Sequence, residues 1–202
     1  MLQHSRLDTG DAEKVTYISP KLGGFQLGVT YSPNRMNNDS NARIKTSSGA
    51  HDGFEAAASY GGKFGDVGFG IGAGMTSYQG AEGASDAGLS DWLVAARIDF
   101  GGGFRASVAH KQVDNDNEMT NGQLTDVGVR FVQGANSFSL AGSHGEMDES
   151  DAFHTAVMGS YARAMGPGVK AHLNVIWNSS ENGDGTVENG GTALVSGIKV
   201  VF

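Results

Sequence analysis

The chain has 202 residues, a formal net charge of -8, 32 glycines, no cysteine and 39% hydrophobic residues. That length suits one sizeable domain. The missing thiols exclude disulfides and thiolate metal sites, no apolar run is long enough for a transmembrane helix, and sparse basic residues disfavour nucleic-acid binding. The modest apolar fraction fits a sheet with one apolar face and one wet face.

Residues 1–13 are polar and lack the apolar core of a secretory signal. A strand is predicted at 14–19, then a P-K-L-G-G turn, then a strand in which Phe25, Leu27, Val29 and Tyr31 alternate with Gln26, Gly28 and Thr30. Residues 33–53 read as a long polar loop. The third strand, 54–60, carries Phe54 and Tyr60 on one side and Glu55 and Ser59 on the other. A glycine turn leads to 67–75, where every even position through Gly74 is glycine. After a loop at 77–88, the strand 89–100 sets Trp92, Val94, Ala96, Ile98 and Phe100 against Arg97 and Asp99. Three glycines turn it into 104–111, where Phe104, Ala106 and Val108 alternate with Arg105, Ser107 and Lys111. An acidic loop at 114–122 precedes strands at 124–131 and 137–144, the first with Val127, Val129 and Phe131 against Gly128 and Arg130. A further loop, 145–151, leads to a strand at 152–162. The M-G-P-G turn opens 169–178, where Val169, Ala171, Leu173, Val175 and Trp177 oppose Lys170, His172, Asn174 and Asn178, with Ile176 out of pattern. Residues 179–191 read as a fifth long loop. The closing strand, 192–202, places Leu194, Ile198, Val200 and Phe202 on one side and Lys199 on the other.

Eleven strands therefore alternate between short glycine turns and long polar loops, which sorts the connections onto two rims, as in a transmembrane β-barrel. Aromatics near strand ends match two interfacial girdles, and inward glycines leave lumen space. A sandwich core would be weakened by them.

The segment K-V-T-Y-I-S-P-K-L-G-G-F-Q-L-G-V-T-Y at 14–31 resembles a hairpin of Gram-negative general diffusion porins, especially the alphaproteobacterial type. Y-A-R-A-M-G-P-G-V-K-A at 161–171 is similar to the hairpin before their last strand, and G-T-A-L-V-S-G-I-K-V-V-F to the closing strand. The resemblance covers nearly the whole chain beyond residue 13. It implies an all-β transmembrane antiparallel barrel in the outer membrane, with these eleven strands corresponding to the sixth through sixteenth of a sixteen-stranded barrel. On that expectation residues 1–202 form a single porin barrel domain that lacks its N-terminal strands and most of the inward-folded constriction loop, which also accounts for the absent signal.

The implied function is a water-filled channel for passive diffusion of ions and small hydrophilic solutes. Implied partners are outer-membrane lipid and lipopolysaccharide, two further copies in a homotrimer, and the barrel assembly machinery, which reads the terminal aromatic Phe202 together with Val200, Ile198 and Leu194. Assigning the Phe202 side to lipid leaves Lys14, Arg97, Arg105, Lys111, Arg130, Lys170, His172 and Lys199 as expected pore-lining residues, whose charge biases ion entry. Each could equally be a wall polar at a depth without effect on selectivity. The loop acids Asp114, Asp116, Glu118, Glu146, Asp148 and Glu149 lack the spacing of a calcium loop, and the six histidines lack a zinc pattern. No catalytic, cofactor or metal residue is expected, and the chain is expected not to be an enzyme. Two other readings stay open: a small barrel with a structural or adhesive role, and a soluble all-β binding domain.

Overall fold

The computed structural model describes residues 13–34, 51–80, 88–115 and 121–201. Those residues form one antiparallel sheet whose spatial order follows the chain. Its strands are β1 (Val15–Ile18), β2 (Phe25–Asn34), β3 (His51–Phe64), β4 (Val67–Gln79), β5 (Leu89–Gly101) and β6 (Phe104–Asn115). They continue as β7 (Gly122–Gln133), β8 (Asn136–Met147), β9 (Phe153–Gly166), β10 (Val169–Glu181) and β11 (Val187–Val200). The eleven expected strands are all present. The principal difference is length. β3 begins before and ends beyond 54–60, β10 runs on to Glu181, and β11 starts at Val187, so the last connection is residues 182–186. Those extra turns of strand are rich in Ser, Asn and Gly, and their polar sequence conceals the ladder.

Two-residue turns at 65–66, 102–103, 134–135 and 167–168, with the connection 19–24, lie at one rim. Gly103 and Gly168 have φ of 86° and 70°, a region open to glycine at no steric cost. A side chain at either would also strike the carbonyl of Val132 or Val201 respectively. The other ends of the strands form the opposite rim, which carries the described connections 148–152 and 182–186.

Register makes the sheet two-sided. One register rung runs Phe25, Tyr60, Ile71, Ala96, Val108, Val127, Gly142, Val157, Trp177 and Thr192. All lie on the same face, because partners across a ladder point the same way. The rung starts on the first residue of β2, at the short-turn rim. It ends eight residues before Val200 in β11 (200 − 192). This progressive stagger is the shear that tilts strands in a barrel wall.

The face is apolar and exposed. Leu27, Val29, Val94, Val129, Leu140 and Val175 all present more than a third of their surface. Aromatic contacts mark its short-turn margin: Phe100–Phe104 at 5.6 Å, Phe138–Tyr161 at 5.1 Å and Tyr60–Phe69 at 5.7 Å between ring centroids. Tyr31 and Phe54, cross-strand partners, and Trp92 lie nearer the other margin. Among the described residues β1 and β11 each pair with one neighbour, and the exposures of Val15 (76%) and Ile198 (71%) follow from those edges.

Candidate functional site: the polar wall

The second face collects the charged groups. Arg97 is the register partner of Ser107 and Asp99 of Arg105, and Arg105 in turn faces Arg130. Lys170 faces Lys199, and His172 faces Gly197. Lys111 faces Leu93 on one side and Leu124 on the other. Lys14 immediately precedes β1 and shares the parity of Thr16, which faces Thr30. Seven of the expected pore-lining residues thus sit on one face by register, with Lys14 in line with them. The expected closing-strand residues Leu194 and Ile198 face Val175 and Ala171, and Val200 faces Val169, all on the apolar side. Phe202 lies outside the described residues.

The basic groups fall into three settings. Near the short-turn rim, Arg105 Nε donates to Asp99 Oδ1, and Arg97 Nε stands 3.9 Å from Asp99 Oδ2. Arg130 Nε donates to Ser137 Oγ at 3.1 Å. Small residues make room for these heads. A Cβ on Gly70 would lie 3.2 Å from Arg97 Nε, so that glycine gives the guanidinium its seat.

On β10 and β11, Lys170 and Lys199 stand opposite each other. A Cβ on Gly197 would come within 2.8 Å of His172 Cε1, so the imidazole lies flat over bare backbone.

Toward the long-loop rim the setting is different. Lys111 Nζ meets Asp91 Oδ2 at 2.7 Å, with side-chain exposures of 7% and 8%. Leu93, Leu124 and Val113 are their neighbours in register, and Tyr78 and Leu89 form a buried pair on the same face. Tyr78 covers Gly53, where any side chain would penetrate its ring, and its hydroxyl donates to Glu55 Oε1 at 3.4 Å. Sequence parity put Lys111 on the right face. Parity does not show that its charge is matched and covered by Asp91, which shares the face of Arg97 and Asp99.

An apolar hollow of about 460 Å³ lies on the other face among Phe25, Tyr60, Ile71, Val94 and Val108. It is a seam in the apolar surface rather than part of the charged wall. Among the described residues no cluster of His, Asp and Glu has the geometry of a metal site.

No curated protein matches the chain by sequence. In structure it is similar to a porin refined at 1.8 Å resolution, with a TM-score of 0.70 at 16% identity, covering 98% of this chain and 64% of that one. It is also similar to OmpT, an outer membrane protein of Vibrio cholerae, in its trimer form (TM-score 0.60, 13% identity, 96% of this chain and 65% of that one). A third similar structure is the outer membrane channel DcaP of Acinetobacter baumannii (TM-score 0.59, 13% identity, 92% and 62%). The chain therefore spans just under two thirds of the length of these structures, and they share its fold. The family model for Gram-negative porins matches residues 2–183, and with the staggered, two-faced sheet described above this makes the chain a member of the Gram-negative porin family.

Proposed function

We propose that this chain forms the wall of a water-filled channel in the outer membrane of a Gram-negative bacterium, passing ions and small hydrophilic solutes by passive diffusion. The observation that carries the reading is the contrast between faces. A contiguous exposed apolar surface runs from β2 to β11, far beyond the few hundred Å² that a soluble monomer tolerates. The opposite face holds Arg97, Arg105, Arg130, Lys170 and Lys199. Lipid satisfies the first and water the second. This contrast also disfavours the soluble binding domain.

In this reading residues 1–202 belong to a single barrel domain of which they supply part of the wall, and Lys14, Arg97, Arg105, Arg130, Lys170, His172 and Lys199 line the permeation path. Lys111 lines it too, but its charge is matched by Asp91, so it fixes the wall rather than the selectivity. Leu194, Ile198 and Val200 face lipid and, with Phe202, supply the signal read by the barrel assembly machinery. The assembled state is a homotrimer in contact with lipid and lipopolysaccharide. The similarity to a trimeric outer membrane protein supports the oligomer. The chain catalyses no reaction and needs no cofactor.

Conductance across a planar bilayer tests the proposal directly. Stepwise ohmic openings are expected; a protein that inserts without conducting would instead favour the structural or adhesive barrel. Measured reversal potential under a salt gradient should shift toward cation preference in Arg105→Ala, and no change would remove that residue from the path.

A further inference from the structure

We propose that Asn182, in the connection between β10 and β11, is a site of spontaneous covalent modification. Its side-chain amide is lost to attack by the next backbone nitrogen, which leaves an aspartyl or isoaspartyl residue at that rim. Asparagine is a thermolabile residue, and it is most labile before glycine, where no Cβ hinders the attacking nitrogen. The chain holds three such pairs, Asn121–Gly122, Asn182–Gly183 and Asn189–Gly190. The fold treats them differently.

At the first pair the amide is held at both ends. Asn121 Oδ1 accepts from the Asn115 backbone N–H at 2.6 Å, and its Nδ2 donates to the Asn115 carbonyl at 3.1 Å. Gly122 is fixed in register against Val113 on one side and Met147 on the other. The third pair lies inside β11, opposite Ser180 and Ser179. Extended backbone turns the Gly190 nitrogen away from the Asn189 side chain, so this part of the ladder must open before the two can meet.

The second pair stands outside every ladder, in the 182–186 connection, with Asn182 partly and Gly183 fully exposed. Among the described residues neither the Asn182 side chain nor the Gly183 N–H has a hydrogen-bond partner. The main chain of Asn182 is tied only by its N–H to the Thr186 carbonyl at 3.0 Å and by its carbonyl to the Gly185 N–H at 2.9 Å. Glycine is required at 183 by packing, since a Cβ there would strike the carbonyl oxygen of Ser150.

The step involves no oxidation or reduction. Hydroxide removes the Gly183 amide proton, and the nitrogen attacks Asn182 Cγ. A new N–Cγ bond forms, the Cγ–Nδ2 bond breaks, and Nδ2 leaves with a proton from water as ammonia. Water then opens the cyclic imide at either carbonyl, giving the aspartyl or the isoaspartyl product. Both add a carboxylate beside Glu181 and Asp184. The isoaspartyl form also lengthens the main chain between the N–H and the carbonyl that hold the turn, so the Gly185 amide loses its partner.

The test incubates the whole folded chain in detergent micelles in mildly alkaline buffer, and peptide mass mapping follows all three pairs. Asn182 is expected to lose its amide about tenfold or more faster than Asn121, with Asn189 between them, because the other two pairs must first open locally. In concentrated urea the three rates should converge. Asn182→Gln should abolish product at this pair and leave the other two unchanged, and hydrogen exchange at Gly185 should accelerate as the product accumulates in the unsubstituted chain. Equal rates in the folded chain, or an order that persists in urea, would overturn the assignment to the fold.

Discussion

The pair formed by Lys111 and Asp91 offers the sharpest test of the wall's energetics. At 2.7 Å and an effective dielectric constant of about 20, the attraction is roughly 6 kcal/mol. Removing two ions from water costs several kcal/mol each, so the intact pair contributes little net stability. Breaking it is another matter. Lys111→Met leaves a carboxylate in a residue only 9% exposed, with Leu93, Leu124 and Val113 close by in register, and should cost about 3–5 kcal/mol. The double variant Asp91→Leu/Lys111→Met removes both charges and should recover most of that loss, giving a coupling of about 2–4 kcal/mol between the sites. Urea unfolding from lipid vesicles, followed by the combined fluorescence of Trp92 and Trp177, reads all three variants. A single-variant cost below about 1 kcal/mol, or a double variant no better than Lys111→Met, would refute the view that this pair is buried and mutually dependent.

Other expectations concern the two faces and the last connection. Leu140→Arg, on the apolar face, should destabilise insertion by about 2–4 kcal/mol in a vesicle folding titration, whereas Ser160→Arg on the polar face of the adjoining strand should change it little; equal costs would contradict the assignment of faces. Gly53→Ala should expel the Tyr78 ring and expose it, detectable as increased tyrosine quenching by iodide, and an unchanged quenching would show the contact to be dispensable. Asp184, in the 182–186 connection, accepts the backbone N–H of Thr186 at 2.8 Å, and that bond, with a second from the Thr186 side chain, lowers its pKa below 3.8. A lowered carboxyl pKa stabilises the connection above the ordinary value and loses that contribution as pH falls through the folded one. Protection of the Thr186 amide, relative to its intrinsic exchange rate, should therefore persist until the pH falls below the ordinary carboxyl range, and Asp184→Asn should weaken that pH dependence.

Most of the fold was legible because lipid and water impose opposite demands on alternate residues. In β5, Trp92, Val94, Ala96 and Ile98 against Arg97 and Asp99 give both strand and face. Legibility fades where that contrast fades. Residues 188–191 of β11 and Ser179–Glu181 of β10 carry no apolar side chain on either side, so they read as loop although they continue the ladder. Apolar residues on the wet face, such as Leu93, Leu124 and Ile176, have no signal of their own in a period-two pattern. The bond between Lys111 and Asp91 was hidden for a different reason. It is diagonal, since Asp91 faces Val113 rather than Lys111, and only the exact register of the β5–β6 hairpin brings the two within reach. The facing of Arg105 and Arg130 needed the same information, because it depends on the register of β6 against β7.

The chain-order arrangement of the sheet has a kinetic consequence. Among the described residues every ladder joins strands adjacent in sequence, so none of these pairings requires the closure of a loop longer than one connection and its two strands. The entropic cost of forming each new ladder is therefore incurred in small, similar steps. Assembly can proceed as successive addition of hairpins, each templated on the edge left by the last. A pair of strands could be inserted or removed during evolution while every remaining turn kept its rim. Loss of a single strand would exchange the rims for all that follow it, sending short turns where loops belong.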